Sequence, residues 1–387
     1  MVSEVKEHLT KALIPFWEGL KDEKNGGYYG YMGYDLEVDQ KAEKGCILNS
    51  RILWFFSNAY DLLKEEHLLD SAKHAYSFLK DHCLDKKYGG VYWSLQSDGS
   101  VLDGTKHTYN QAFAIYALSS YYAVTKEEEA LKIAKELYQL IETKCRDEEG
   151  YLEAFTVDFL PESNEKLSEN GVIAEKTMNT LLHVFEAYTE LYRVTKDEEV
   201  GARLRFMMDL FVNKVFNKEL GRQEVFFDKH WNTLIDLYSY GHDIETSWLM
   251  DRGTEVLEDN EYTEKVSNVT AVIADNIYQR AYIDHSLVNE AENGVVDQTR
   301  IWWVQAETVV GFLNAWQKSG MEKFYEGAVD VWNYIKEYLI DKRNGSEWFW
   351  ALDADHNPLK RPIVEPWKCP YHNGRMCIEV IRRLEHS

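Results

Sequence analysis

GGYYGYMGYD, residues 26–35, returns 63 residues further on as GGVYWSLQSDG, residues 89–99. Both stretches open on paired glycines, alternate aromatic with small or polar side chains, and close on Asp or Gly, the pattern of a short hairpin. The texture recurs at GYLEAFTVDF (150–159), GRQEVFFDKHWN (221–232), more weakly GVVDQTRIWW (294–303), and GSEWFWALDADHNP (345–358). Starts at Gly26, Gly89, Gly150, Gly221, Gly294 and Gly345 are 63, 61, 71, 73 and 51 residues apart, so the chain reads as six copies of one unit.

The segments between these hairpins are each long enough for two helices. One set follows its hairpin directly and is apolar on more than one face, from LNSRILWFFSNAYDLL (48–63) and TYNQAFAIYALSSYYAV (108–124) to YHNGRMCIEVIRRLEH (371–386). Such helices belong in a buried inner layer. The other set, such as EEEALKIAKELYQLIETK (127–144) and MEKFYEGAVDVWNYIKEYLI (321–340), carries charge along one face and suits an outer layer. The expected fold is all-α, an (α/α)6 barrel of six inner and six outer helices with short β-hairpins in the loops at one end. A chain of 387 residues would ordinarily divide into two or three domains, but a closed ring places residues 1–387 in one.

Composition removes several classes of partner. The 43 Lys and Arg against 66 Asp and Glu give a net charge of -23, which repels phosphate backbones and anionic membranes. Neither nucleic acid nor a membrane is expected. No apolar run reaches the ~18 residues of a membrane span, and MVSEVKEHLT lacks the basic and apolar regions of a signal peptide, so a cytoplasmic protein is expected. The five cysteines form no C-x-x-C pair and read as buried free thiols. Aromatic residues make up 14% of the chain, which suits a thick core and equally a cleft that stacks sugar rings.

Because every inner helix follows its hairpin in the same sense, their first turns share one end of the ring and face one another. Those turns carry Arg51; Tyr109, Asn110 and Gln111; Asn179 and His183; His242 and Glu245; Trp302, Trp303 and Glu307; and Tyr371, His372, Asn373 and Arg375. A central pit so lined is where a concave site is expected. A neutral imidazole can take or return a proton near neutral pH, and two of them on opposite sides of one carbon can invert it. The carbon next to an aldehyde is acidic because its carbanion delocalises as an enediolate, which needs donors for the developing oxyanion. Arg51 and His183 are candidates for that task, and Glu245 and Glu307 for orienting imidazoles. Taken singly, each has an ordinary alternative: His242 with Glu245 is a common helix-surface pair, His183 suits a hydrogen-bonded core position, and tryptophans serve cores more often than ligands.

Neither H-E-x-x-H nor H-x-x-x-H occurs, and there is no phosphate-binding glycine loop, so no metal or nucleotide cofactor is expected. A glycoside hydrolase on the same toroid remains open, since Glu245 and Glu307 could flank a glycosidic bond. An aldose–ketose isomerase, which needs one base, and a sugar-binding protein, which needs none, also remain open.

The stretches YYGYMGYDLEVDQKAEKGCILNSRILWFFSNAY, SENGVIAEKTMNTLLHV, SYGHDIETSWL, IWWVQAETVVGF and PWKCPYHNGRMC resemble the N-acylglucosamine 2-epimerase superfamily over nearly the whole chain. The resemblance implies an (α/α)6 barrel that inverts C2 of the reducing-end glucose of β-1,4-linked disaccharides, such as cellobiose or lactose, without a cofactor. It implies that His242 and His372 are the acid/base pair, with His372 acting on the glucose form and His242 on the opposite face. Glu245 and Glu307 would support the two imidazoles. Arg51, Tyr109, Asn179, His183 and Trp303 would contact the reducing-end sugar, and Trp367 would stack on the second sugar. The implied partner is a disaccharide or a short β-1,4-oligosaccharide, and the implied state a monomer.

Overall fold

The computed structural model describes residues 1–168 and 170–385, so His386 at the end of the sixth expected inner helix lies outside the described residues. The chain opens with α1 (Val2–His8) and α2 (Ile14–Glu18), joined by one π-helical stretch into the first outer arm. Inner and outer helices then alternate. α3 (Cys46–Leu63), α5 (Thr108–Thr125), α7 (Met178–Thr195), α9 (Tyr240–Leu257), α11 (Trp302–Ser319) and α13 (His372–Glu385) form the inner ring. α4 (Glu66–Phe78), α6 (Glu128–Lys144), α8 (Glu198–Leu210), α10 (Asn260–Arg280) and α12 (Glu322–Tyr334) follow them on the outside. Each inner helix packs on the next, and α13 packs back on α3, which closes the (α/α)6 barrel.

Five inner helices share a length of 18 residues, about 27 Å at 1.5 Å per residue. Equal length keeps their first turns at one depth. Each ends on a left-handed residue: Lys64, Lys126, Lys196, Glu258 or Gly320. Only Gly320 takes that conformation without a Cβ penalty. The three lysines compensate in the same way, each reaching back over a tyrosine four residues earlier: Tyr60 at 5.8 Å, Tyr122 at 5.3 Å and Tyr192 at 5.0 Å.

At the other end, the two or three residues before an inner helix pair antiparallel with a strand from the next repeat. Lys44–Gly45 meets Ser94–Leu95, Lys106–His107 meets Ala154–Phe155, Lys176–Thr177 meets Phe226–Phe227, Leu237–Ser239 meets Glu290–Glu292, and Arg300–Ile301 meets Ala351–Leu352. A bridge between Met32 and Val364 completes the circuit. Three of these lead-in strands begin on a buried lysine held by an aspartate: Lys44 on Asp22 at 2.6 Å, Lys106 on Asp85 at 2.8 Å, and Lys176 on Asp147 at 3.0 Å. Each ammonium also donates to a backbone carbonyl, so its burial is compensated.

The fifth repeat departs from its expected position. The hairpin following α10 turns at Asp284 and His285, both left-handed, between the paired strands Tyr282–Ile283 and Ser286–Leu287. His285 thus stands where other repeats place glycine. Gly294 instead turns an additional hairpin, Glu290–Glu292 with Val295–Asp297. With His285 in the series, the spacing of the repeat becomes nearly even.

In α3, α5 and α11 the fourth residue of the helix secures the preceding hairpin. Asn49 accepts from the Tyr28 amide, Gln111 from Val91 and Gln305 from Leu287, and each of their amide nitrogens donates to a backbone carbonyl. In the fourth repeat this position is Asp243, whose Oδ1 accepts from the Gln223 amide at 3.1 Å while Oδ2 finds no partner among the described residues. Burial pushes its carboxyl up to about 7. The folded protein holds this proton up to about that pH, whereas the unfolded chain loses it near ~4, so Asp243 reduces stability progressively across that interval. Asp243→Asn restores the carboxamide of the sister repeats. It should raise the thermal midpoint at pH 8 by about 2–5 °C and much less at pH 4, measured by calorimetry at both values; an equal change at both would contradict the assignment.

Candidate active site

The first turns of the inner helices enclose a cavity of about 630 Å³, within the range of small-molecule sites. Arg51, Tyr109, Asn179, His183, His242, Glu245, Trp303, Trp367 and His372 all stand on its wall. Glu307 lies one layer behind, against His372. Asn110, Gln111 and Asn373, which share the same turns, face away: Asn110 and Gln111 bind backbone at Tyr92 and Val91, and Asn373 donates to Glu347 at 2.6 Å.

Three imidazoles are each gripped at Nδ1, which leaves Nε2 for the cavity. His372 is held by Glu307 Oε1 at 2.7 Å, His183 by Glu186 Oε2 at 2.9 Å, and His242 by Ser239 Oγ at 2.7 Å. This corrects the expected pairing of Glu245 with an imidazole. Glu245 Oε1 is 3.9 Å from His372 Nδ1, beyond hydrogen-bond range, and accepts from Arg375 instead. Residues three apart on a helix share a face, but here that face turns inward, and the nearest charge to Glu245 comes from across the ring.

That charge is the buried Arg375, four residues after Tyr371 on α13. Its guanidinium binds Glu186 on α7, Glu245 on α9, Glu307 on α11 at 2.6 Å, and the Tyr371 hydroxyl. Against the cost of burial, Arg375 and His183 hold Glu186 down at about 2. Glu307 also accepts from Trp248 Nε1 at 2.9 Å. The sequence places Arg375 among the pit residues and allows Glu307 to bridge to it or to Arg51, but it gives no sign of the bond to Glu245, nor of Glu186, Ser239 or Trp248, which sit in ordinary helical or strand contexts.

Burial, reinforced by Arg375 and Arg51, keeps His372 well below its usual range, and burial lowers His183 and brings His242 to about 3. All three are neutral in the empty cavity at pH 7 and available as proton acceptors. Arg51 donates to the Tyr109 hydroxyl at 2.9 Å and lies over the rings of Phe113 and Tyr371 at 4.2 and 4.7 Å, a fixed positive group in the wall. The ligand atoms of Glu245, Glu307 and His372 come within 4.8 Å of one another, but Arg375 and the His372–Glu307 bond already engage them, so a cation would have to displace the guanidinium.

Trp303 touches two of the imidazoles, its ring 4.8 Å from His242 and 5.3 Å from His372. Trp367 lies 5.7 Å from Trp93 and 6.1 Å from Tyr109. The glycine before His242 has a steric purpose here. A Cβ on Gly241 would come within 2.5 Å of the Trp303 ring and 2.7 Å of Val304. Gly241→Ala should therefore displace Trp303 and lower kcat/KM by about 10-fold or more while circular dichroism remains that of the parent; unchanged kinetics would show that Trp303 does not set the geometry.

The sequence model of the family described as N-acylglucosamine 2-epimerase (GlcNAc 2-epimerase) matches residues 27–374. A cellobiose 2-epimerase of Ruminococcus albus is 52% identical over 384 residues, which cover 99% of each chain. The structure of a cellobiose 2-epimerase from Bacillus thermoamylovorans superposes with a TM-score of 0.97 at 50% identity, again over 99% of each chain. A D-mannose isomerase of 20% identity superposes with a TM-score of 0.85 over 99% of this chain and 98% of its own, a likeness of fold. On the family match and the extent of these identities, the chain belongs to the N-acylglucosamine 2-epimerase family.

Proposed function

We propose that the protein is a carbohydrate 2-epimerase that inverts C2 of the reducing-end glucose of β-1,4-linked disaccharides, taking cellobiose to glucosyl-mannose and lactose to epilactose. The observation that carries this reading is the pair His242 and His372, both on the wall of one cavity, each fixed at Nδ1 by a different kind of partner and each in contact with the Trp303 ring. The chain's similarity to cellobiose 2-epimerases supports the choice of substrate.

After the pyranose opens, His372 Nε2 takes the C2 proton. The C2–H electron pair becomes the C1–C2 double bond, and the carbonyl pair moves to O1, giving an enediolate. Glu307 stabilises the imidazolium so formed. Arg51 and His183 face the oxygen that gains charge, where fixed donors in a water-poor cavity lower the barrier most. His242, having taken a proton from solvent under the influence of the enediolate's charge, then returns a proton to the opposite face of C2 as the C1 carbonyl re-forms. His372 releases its proton to solvent, which restores both imidazoles. Tyr109, Asn179 and Trp303 position the reducing-end sugar, and Trp367 stacks on the second sugar. Neither proton transfer calls for a metal or nucleotide.

The hydrolase alternative fits the geometry poorly. Glu245 and Glu307 share one guanidinium, and Glu307 stands behind His372, so the two carboxyls do not flank a bond in the cavity. Isomerisation needs only the first half of the same chemistry, and protonation of the enediolate at C1 gives a ketose as minor product.

Incubation with cellobiose in D2O should yield glucosyl-mannose deuterated at C2, with no free glucose and no effect of chelator. Free glucose as main product would overturn the reading in favour of hydrolysis, and a ketose as main product in favour of isomerisation. His372→Ala and His242→Asn should each lower turnover by about 10³-fold or more with the fold intact; a wild-type rate in either removes that residue from the mechanism. Trp367→Ala should raise KM for cellobiose about 3- to 10-fold with a smaller change in kcat, as expected for loss of one stacking contact.

A further inference from the structure

Four charged or titratable groups converge behind His372, and their hydrogen bonds are unevenly shared. Glu307 accepts three: His372 Nδ1 and Arg375 on Oε1, and Trp248 on Oε2. Glu186 likewise accepts from His183, the Tyr371 hydroxyl and Arg375. Glu245 accepts from Arg375 alone on Oε1, and its Oε2, fully buried, has no partner among the described residues. One guanidinium cannot balance three buried carboxylates, and leaving all three ionised would place two excess negative charges among buried side chains. At least one proton must stay in the cluster. It belongs on the oxygen with the fewest donors, because each donated hydrogen bond favours the ionised form.

We infer that Glu245 is the neutral member of this cluster, carrying its proton on Oε2 and acting toward the sugar as a hydrogen-bond donor while Glu307 remains the carboxylate that supports His372. Burial and the neighbouring Glu307 both raise the Glu245 carboxyl well above the ordinary range, in the same direction. Glu245 Oε2 receives no hydrogen bond from any described group, and Glu245 stands on the cavity wall. An oxygen of the bound reducing-end sugar is the partner that satisfies it. The two glutamates, alike in sequence, thus take opposite roles: one donates to substrate and the other accepts from the base. This assignment rests on the epimerase reading for its substrate, but the protonation state stands on the protein alone.

Gln is the neutral, donating analogue of a protonated Glu, so the two glutamates should respond differently to one substitution. Glu245→Gln should turn over cellobiose at least 10-fold faster than Glu245→Ala, whereas Glu307→Gln should lose 100-fold or more against the parent. In the ligand-free protein at pH 7, the infrared carbonyl band of a protonated, D2O-sensitive carboxyl should be present in the parent and in Glu307→Gln, and reduced in Glu245→Gln. A folded Glu245→Gln no faster than Glu245→Ala, or a carboxyl band unchanged by Glu245→Gln, overturns the assignment. The infrared result uses no sugar, so its failure is distinct from failure of the epimerase reading, which would show as a parent protein that leaves cellobiose unchanged.

Discussion

The architecture of the pit depends on one buried cation. Arg375 on the last inner helix reaches carboxylates on three others, Glu186, Glu245 and Glu307, and so ties α13 to α7, α9 and α11 through a single planar group. An arginine suits this because its five donors lie in a rigid fork and it stays charged when buried. Removing the guanidinium would leave three buried acids without their shared counter-charge. The same group fixes Glu307, which fixes His372. The position of one proposed base therefore rests on a contact that does not touch the cavity directly.

The barrel around this cluster is built by repetition of a few local devices. Buried lysines paired with aspartates open three of the inner helices, carboxamides at the fourth helical position secure the hairpins, and lysines in the left-handed conformation lie back over tyrosines at the far ends. Each device satisfies a polar group that burial would otherwise strand. Together they hold the inner helices to a common length and depth, and so bring side chains from distant parts of the sequence to one surface.

Much of this was legible before any coordinates. The glycine and aromatic texture gave the sixfold period, the contrast between apolar and charged segments separated inner from outer helices, and the common direction of the inner set located the pit. Nine of the ten proposed site residues do stand on its wall. The fifth repeat was misplaced because its turn uses Asp284 and His285 in the left-handed conformation, which carries no glycine signal. The partners of Glu186 and Glu245 were not legible either. Spacing along a helix reports neighbours on one face, whereas Glu245 and Arg375 meet across the ring at a separation of 130 residues. Ser239 was overlooked for a similar reason, since a serine before a helix reads as an N-cap, and here its hydroxyl is directed to His242.

The circuit of strand pairs closes at Met32 and Val364, and the first and last helices lie side by side with Lys6 on Glu385 at 3.2 Å. The first helix and the last described turn of α13 therefore meet at a seam where an outer arm packs on the sixth inner helix of the polypeptide. Its covalent order is one of several ways of threading the same toroid. Joining the ends and opening a tight turn between an inner and an outer helix would rearrange the gene while leaving every pit side chain in its present neighbourhood.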